Sequence, residues 1–342
     1  MTYLVTGGAG FFGGILKRRL LAQGHRVVSI DLEEDHDVAA NLVSVRGDIR
    51  DRAALARLFD EHAPEGVFHC AAILAHDAKD RRFLWSSNVD GTANVAAWAE
   101  RKGVRGIVYT SSNCVYARNF DAAVDETVEP CPAEIYGRSK LEGERILARA
   151  GVRCVTLRTP TIVDEGRLGL LAILFEFIAE GRRVWVVGRG DQRYQFLCAQ
   201  DLADACLRAM DSDASGVLHV GSSRVRTMRE VFASVCERAA TGARVASLPR
   251  APTLWAMRLA HALGLSPLGP YQYRMIASNF VFDTTRARTR LGWTPTATNE
   301  EMLWRAYDHF VRHRSEIAAR RDGSAHRRAA GMGVLRLLKW LS

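Results

Sequence analysis

The sequence has no C-x-x-C pair. Its seven cysteines, Cys70, Cys114, Cys131, Cys154, Cys198, Cys206 and Cys236, are scattered and odd in number. That pattern argues against a disulfide framework and a zinc site, so no metal is expected, and it points to reduced thiols. A long apolar run is also missing. The longest, Leu168 to Ala179, is interrupted by Glu176 and falls short of the roughly 20 apolar residues of a membrane-crossing helix. A strand-like segment beginning at Thr2 leaves no secretory leader, so a cytoplasmic protein is expected. Basic residues do not interleave with aromatics on any recognisable motif. The formal net charge of +9 is therefore not read as nucleic-acid binding. Carboxylates are scarcest at the end: from Arg314 to Ser342 seven cations face only Glu316 and Asp322, a net +5.

What is present suits a soluble globular chain. The 342 residues are 48% hydrophobic and 25% charged, enough to bury a core without cross-links. Short β-branched runs at Tyr3–Thr6, Arg26–Ile30, Leu42–Arg46, Gly66–Cys70, Gly106–Thr110 and Arg153–Arg158 alternate with helical patterns. These lie at Phe11–Gln23, Arg52–His62, Asn88–Lys102 and Ile135–Ala150. Such alternation predicts an α/β fold, a doubly wound parallel sheet with helices on both faces. The order loosens after Pro160. Helices are expected at Leu168–Glu180, Asp201–Met210, Met228–Ala239 and Glu300–His313, with strands near Val184–Val187 and Val217–Val220, while Pro and Gly punctuate Leu248–Pro270. The expected organisation is a dinucleotide-binding domain over 1–160, an interleaved substrate lobe over 161–314, and a basic amphipathic tail over 315–342.

The first strand runs into Gly7-Gly8-Ala9-Gly10-Phe11-Phe12-Gly13. Glycines at 7, 10 and 13 suit a tight turn, close backbone approach to a pyrophosphate, and helix–sheet contact. The helix opening at Phe11 and Phe12 turns free N–H groups toward that phosphate. The second strand leads to Asp31, placed to accept both ribose hydroxyls. Glu33, Glu34 and Asp35 follow with no nearby arginine for a 2′-phosphate, which favours NAD over NADP. Tyr136 and Lys140, at i and i+4, share one face of a helix. A phenol beside an ammonium can move a proton at a carbon–oxygen centre as hydride is transferred, if the ammonium lowers its pKa toward neutrality. Ser111-Ser112 closes the fifth strand, where a hydroxyl can hold the same oxygen.

With these features the chain resembles the extended short-chain dehydrogenase/reductase superfamily, in its NAD-dependent epimerase/dehydratase branch. The matching stretches are TGGAGFFGG, Asp31, GDIRD with Asp48-Ile49, HCAA (His69–Ala72), NVDGTANV with Asn88, YTSSNCVY, YGRSK, LRTP, QRYQFLCAQDLADA and FDTTRARTRLGW. The resemblance implies cofactor contacts from Gly7, Gly10, Phe11, Phe12, Gly13, Asp31, Asp48, Ile49, Ala71, Ala72, Asn88, Tyr136 and Lys140. It implies catalysis by Ser112, Tyr136 and Lys140, and assembly as a homodimer through a bundle containing the Tyr136 helix. Arg193 falls where sugar-nucleotide members bind diphosphate, and Arg274 roughly where a second such arginine lies.

The reaction is read from the departures. Dehydratases of this branch carry Asp-Glu after the serine; this chain has Asn113-Cys114, and an amide cannot exchange a proton at neutral pH. No glutamate supports decarboxylation. Cys114 is a candidate acid/base by likeness to 3,5-epimerases, or a small apolar residue packed at the strand end. The R-P-x-N-x-Y-G-P stretch of sugar-nucleotide members reads Arg158-Thr159-Pro160-Thr161-Ile162-Val163-Asp164-Glu165 here, with Thr161 in place of the asparagine. Leu254–Tyr273 is rich in Trp, Leu, Met and Tyr. Two readings of the small-molecule substrate stay open. One is a nucleotide-sugar epimerase acting by transient oxidation at a hydroxyl carbon. The other is a ketoreductase or dehydrogenase of a membrane-derived lipid, with the tail touching the inner membrane face. Intact Tyr136 and Lys140 argue against a non-enzymatic cofactor sensor. Asp31→Ala is expected to weaken NAD about tenfold, the loss of charged hydrogen bonds to the ribose, and to narrow the preference over NADP. Binding titrations with both dinucleotides check this, and unchanged selectivity would contradict the role given to Asp31.

Overall fold

The computed structural model describes residues 1–74, 80–167, 169, 171–263 and 276–319. Six strands build most of the central sheet: β1 (Thr2–Thr6), β2 (Arg26–Asp31), β3 (Leu42–Arg46), β4 (Gly66–His69), β5 (Ile107–Ser112) and β6 (Cys154–Thr159). Five helices interleave with them: α1 (Phe11–Ala22), α2 (Arg52–His62), α3 (Arg81–Asn88), α4 (Asp90–Arg101) and α5 (Ile135–Arg149). The second half contributes β7 (Thr161–Val163), α6 (Leu171–Ala179), β8 (Arg183–Val187), β9 (Phe196–Cys198), α7 (Ala199–Asp211), β10 (Gly216–His219), α8 (Met228–Ala239), β11 (Arg244–Leu248), α9 (Arg250–Ala262), α10 (Thr285–Leu291), α11 (Asn299–Arg312) and α12 (Arg314–Ala319).

The sheet order is β10-β6-β5-β4-β1-β2-β3, and every pairing in it is parallel. This is the doubly wound arrangement expected from the alternating pattern. The strands are apolar along their length because both faces are covered. One core holds Leu16, Leu20, Phe68 and Leu202 between the sheet, α1 and α7. Another holds Leu55, Phe59, Val95 and Leu147 under α2, α4 and α5. The order reverses about β1, whose neighbours are β2 and β4. A ligand crevice opens at such a switch point, outside the strand C-termini. The third core, with Phe175, Phe196, Phe280, Leu303 and Phe310, fills the second half. There β11 pairs with β8, and β7 with β9.

Several boundaries differ from the periodic reading. The single helix expected over Asn88–Lys102 is two, broken at Val89, whose backbone turns out of line. Asn88 thereby ends α3 instead of starting a helix. The punctuated stretch from Leu248 holds the 13-residue α9. Pro249 precedes that helix and Pro252 lies in its first turn, where a missing N–H costs nothing. Strands β7 and β9 escaped the pattern because they are three residues long, and β11 was not expected. The segment 264–275, most of the tail, and with them Arg274, lie outside the described residues. Among the described residues no helix is long and apolar enough to cross a membrane.

One buried cluster fastens α5 to the sheet. Glu144 accepts from Arg158 through Nε at 3.0 Å and Nη2 at 2.6 Å, and from Ser111 Oγ at 2.5 Å. Arg158 Nη1 donates to Tyr116 Oη at 2.5 Å. Tyr116 in turn meets His219 Nε2 at 3.2 Å, while His219 Nδ1 faces the Val124 carbonyl at 2.9 Å. Burial pulls the His219 pKa down to about 3, so the ring is neutral and Nε2 accepts. Glu144→Ala would strand the buried Arg158 guanidinium. The expected loss is about 3–5 kcal/mol of stability, read by denaturant unfolding, and a loss below about 1 kcal/mol would mean Arg158 finds another partner.

Candidate functional site

The glycine loop folds against the end of β4. Gly7 adopts φ +75°, and a Cβ there would stand 2.8 Å from Ala71 N and Cα. Gly7 N–H donates to the Ile30 carbonyl at 2.8 Å. A Cβ on Gly13 would lie 2.0 Å from the Gly7 carbonyl oxygen, so only glycine lets α1 start here. The helix opens at Gly10 without a side-chain cap, leaving its first turn facing the crevice, where anions are favoured. Asp31 Oδ2 accepts from Ala9 N–H at 3.0 Å and Oδ1 from Glu33 N–H at 3.1 Å. The carboxylate thus stands beside the loop at the end of β2, as ribose binding requires. The segment after it is fastened by the buried Lys17 of α1, which pairs with Asp35 and Asp37. Burial works to raise the Asp35 carboxyl, but the bonds from Lys17 hold it below its usual range. Nothing in the pattern singled out Lys17; a charged residue on the inner face of an amphipathic helix is the signal.

The other expected cofactor residues divide. Ala71 N–H donates to Thr6 Oγ1 at 3.2 Å and touches the loop, and Ala72 follows it in the strand-end turn. Ile49 packs on Gly91, where a Cβ would lie 2.6 Å from it. Asp48 is engaged by Arg50, with Nη2 at 2.6 Å. Asn88 is buried, and its amide is used within the protein. It accepts from Ile73 N–H at 2.7 Å and donates to the Ile73 carbonyl and to Ser139 Oγ, both at 3.0 Å. It fastens the turn after β4 to α5 and so shapes one wall of the crevice.

Ser112, Cys114, Tyr136 and Lys140 come together where β5 meets α5. Gly137 makes this possible, since a Cβ there would stand 2.1 Å from the Cys114 carbonyl oxygen. The 3-10 turn Asn113–Val115 therefore lies directly on the helix beside Tyr136. Ser112 Oγ accepts from Cys114 N–H at 3.2 Å and hydrogen-bonds the Tyr136 phenol. Burial pushes that phenol well above its ordinary pKa, a thiolate at Cys114 would push the same way, and the bond with Ser112 works against both. This corrects the expectation that the Lys140 ammonium draws Tyr136 toward neutrality. Lys140 is buried with Nζ 4.2 Å from the Tyr109 ring centroid, so its ammonium rests on that π face. Burial lowers its own pKa to about 8.

On the far side, Asn113 Nδ2 donates to Tyr194 Oη at 3.0 Å, and Tyr194 Oη meets Thr161 Oγ1 at 3.0 Å. Thr161 is thus brought to the site through Tyr194, a residue that pattern reading passed over. Its neighbour Arg193 is exposed, and its backbone is held by Asn279 Oδ1 at 2.8 Å. The signal for Tyr194 was alternation: one step along an extended segment turns the side chain to the opposite face.

Residues 3–221 match the NAD dependent epimerase/dehydratase family. The chain belongs to that family. It is 31% identical to the UDP-glucose 4-epimerase of Mycolicibacterium smegmatis over 92% of this chain and 100% of that protein. It is 30% identical to sterol demethylase protein B of Methylococcus capsulatus over 87% of this chain and 95% of that one. In fold it is similar to the Bordetella bronchiseptica enzyme WbmG, solved in complex with NAD and UDP. The TM-score is 0.75 at 23% identity, covering 91% of this chain and 94% of that one. Membership makes the chain an enzyme family member that uses NAD, and the uncapped α1, the glycine cradle and Asp31 fit that dinucleotide.

The depressed Lys140 pKa has a consequence for pH. A buried ammonium costs stability while it is charged, and that cost fades as pH rises from about 8 toward the unfolded value near 10.5. The stability of the wild type minus that of Lys140→Met is expected to be flat near neutrality and to increase across that window. Denaturant titrations at several pH values test this; a flat difference throughout would contradict burial of the charged group.

Proposed function

We propose that this chain is a nucleotide-sugar epimerase that acts by transient oxidation at a hydroxyl carbon. The observation that carries the proposal is the convergence of Ser112, Tyr136 and Lys140 at the end of β5, facing the switch-point crevice. Likeness to a UDP-glucose 4-epimerase over that protein's full length supports the substrate class.

NAD, held by the Gly7–Gly13 loop and Asp31, would supply a reversible hydride acceptor. In this reading the chain's own groups handle the proton. Tyr136 Oη takes it from the substrate hydroxyl as the C–H bond breaks and gives it back when the hydride returns to the opposite face. Ser112 Oγ, already bonded to the phenol, holds the same substrate oxygen and keeps the proton path short. Lys140, with a pKa of about 8, is largely an ammonium at neutral pH and adds positive charge beneath the site. The Asn113 amide is neither an acid nor a base at neutral pH, so the ketone is not led on to dehydration. Cys114 lies beside Tyr136, placed for acid/base work at a neighbouring carbon. Assembly as a homodimer through the α5 face belongs to the same reading.

A second reading has its own support. Asn113 meets Tyr194, which in turn meets Thr161, and the chain is also similar to a sterol demethylase protein. A lipid ketone or sterol-like substrate suits that wall. A thermal-shift panel of UDP-, GDP- and dTDP-sugars against sterols and long-chain keto-amines, with NAD present, separates the two. A true ligand raises the melting temperature with its concentration. Stabilisation by sterols alone would overturn the first reading. With the substrate in hand, Tyr136→Phe is expected to bind NAD normally and to lose about a hundredfold or more of turnover. Retained turnover would remove the phenol from the mechanism.

A further inference from the structure

Helix α9 is unlike the other long helices among the described residues, because none of its residues is buried. Thr253, Leu254, Met257 and Ala260 are half-buried and turn toward the body. The outward face carries Trp255, 67% exposed, and Leu259, 44% exposed, and continues to Leu263 at 62% just past the helix end. These sit at i, i+4 and i+8, one stripe along the helix, flanked by Ala251, Pro252, Ala256 and Ala262. Arg258 borders the stripe, and Arg250 begins the helix.

The charge along this stretch of sequence is one-sided. From Arg238 to Phe282 the sequence has no aspartate or glutamate, although the whole chain has 38. Arg238, Arg244, Arg250, Arg258 and Arg274 all lie in that stretch. An outward stripe of tryptophan and leucine on a cationic, carboxylate-free segment is the composition of a helix that lies in the headgroup plane of an anionic bilayer. Its size argues against a stable protein contact. Thirteen residues give a helix roughly 20 Å long, and a face about 10 Å wide offers far less than the roughly 800 Å² per partner of a stable interface. Two copies meeting there would also bring like charges together.

We infer that α9 docks this protein on the surface of an anionic membrane, with Trp255, Leu259 and Leu263 entering the headgroup boundary and Arg258 pairing with lipid phosphates. The docked side is the substrate lobe. Arg250 Nη2 donates to the Ala277 carbonyl at 3.0 Å, and Gln192 Nε2 to the Ile276 carbonyl at 2.7 Å. Membrane contact would therefore bear on the segment that carries Tyr194. The inference does not rest on the substrate reading, and its test uses no substrate.

The test is co-sedimentation of the full chain with vesicles of phosphatidylcholine alone or mixed in equal parts with phosphatidylglycerol, at low and high salt. Binding is expected only with phosphatidylglycerol and is expected to weaken in high salt. Changing Trp255, Leu259 and Leu263 together to serine, all exposed positions, is expected to lower it by about tenfold or more, with circular dichroism unchanged. A full-length variant with Arg327, Arg328, Arg336 and Lys339 changed to alanine separates the tail. It is expected to keep quenching of tryptophan emission by brominated lipid, and Trp255→Phe is expected to reduce that quenching. No binding to anionic vesicles overturns the inference. So does binding that the triple variant leaves intact, or a triple variant whose only effect is to break a larger assembly, since a second copy would then cover the stripe.

Discussion

The pairing of Glu144 with Arg158 is the constraint on which the site depends. Removing both charges from water is expensive, and the pair is tolerable only because each group is bonded on several sides. Glu144 holds Arg158 and Ser111; Arg158 holds Tyr116; Tyr116 meets the neutral His219 of β10. The cluster therefore ties α5 to β5, β6 and the edge of the sheet at one level. Tyr136 and Lys140 lie on the same helix as Glu144, so their height above the β5 terminus is set by an interaction that touches neither of them.

Two backbone contacts complete the placement, and both exist only because a side chain is missing. At Gly7 the loop lies on Ala71; at Gly137 the helix lies on the Cys114 carbonyl. The first brings the start of α1 to the switch point. The second brings Ser112 and Cys114 within reach of Tyr136. Substituents at either position would separate elements that the hydrogen bonds then could not close.

Much of this was legible from residue order. The strands through β6 came from β-branched runs, the loop from its glycine spacing, and the Tyr-Lys pair from helical periodicity. Family membership followed from the same stretches. What was not legible is of three kinds. Strands of three residues, such as β7 and β9, carry no period. The partners of a polar group are set by the fold, so residue order did not report that Asn88 also bonds Ile73 and Ser139 or that Asp48 also bonds Arg50. The protonation of Tyr136 depends on burial and on which ring the Lys140 ammonium faces, and helical spacing reports neither.

The row from Ser112 through Asn113 and Tyr194 to Thr161 has a direction. Asn113 donates through Nδ2 to the Tyr194 oxygen, which leaves its Oδ1 turned to the Ser112 side, 3.4 Å from Oγ. An aspartate in its place would offer only acceptors. Tyr194 would then have to donate toward β5, leaving its oxygen to accept from Thr161. Exchanging one nitrogen for one oxygen at Asn113 would thus turn the Tyr194 hydroxyl from one side of this wall to the other.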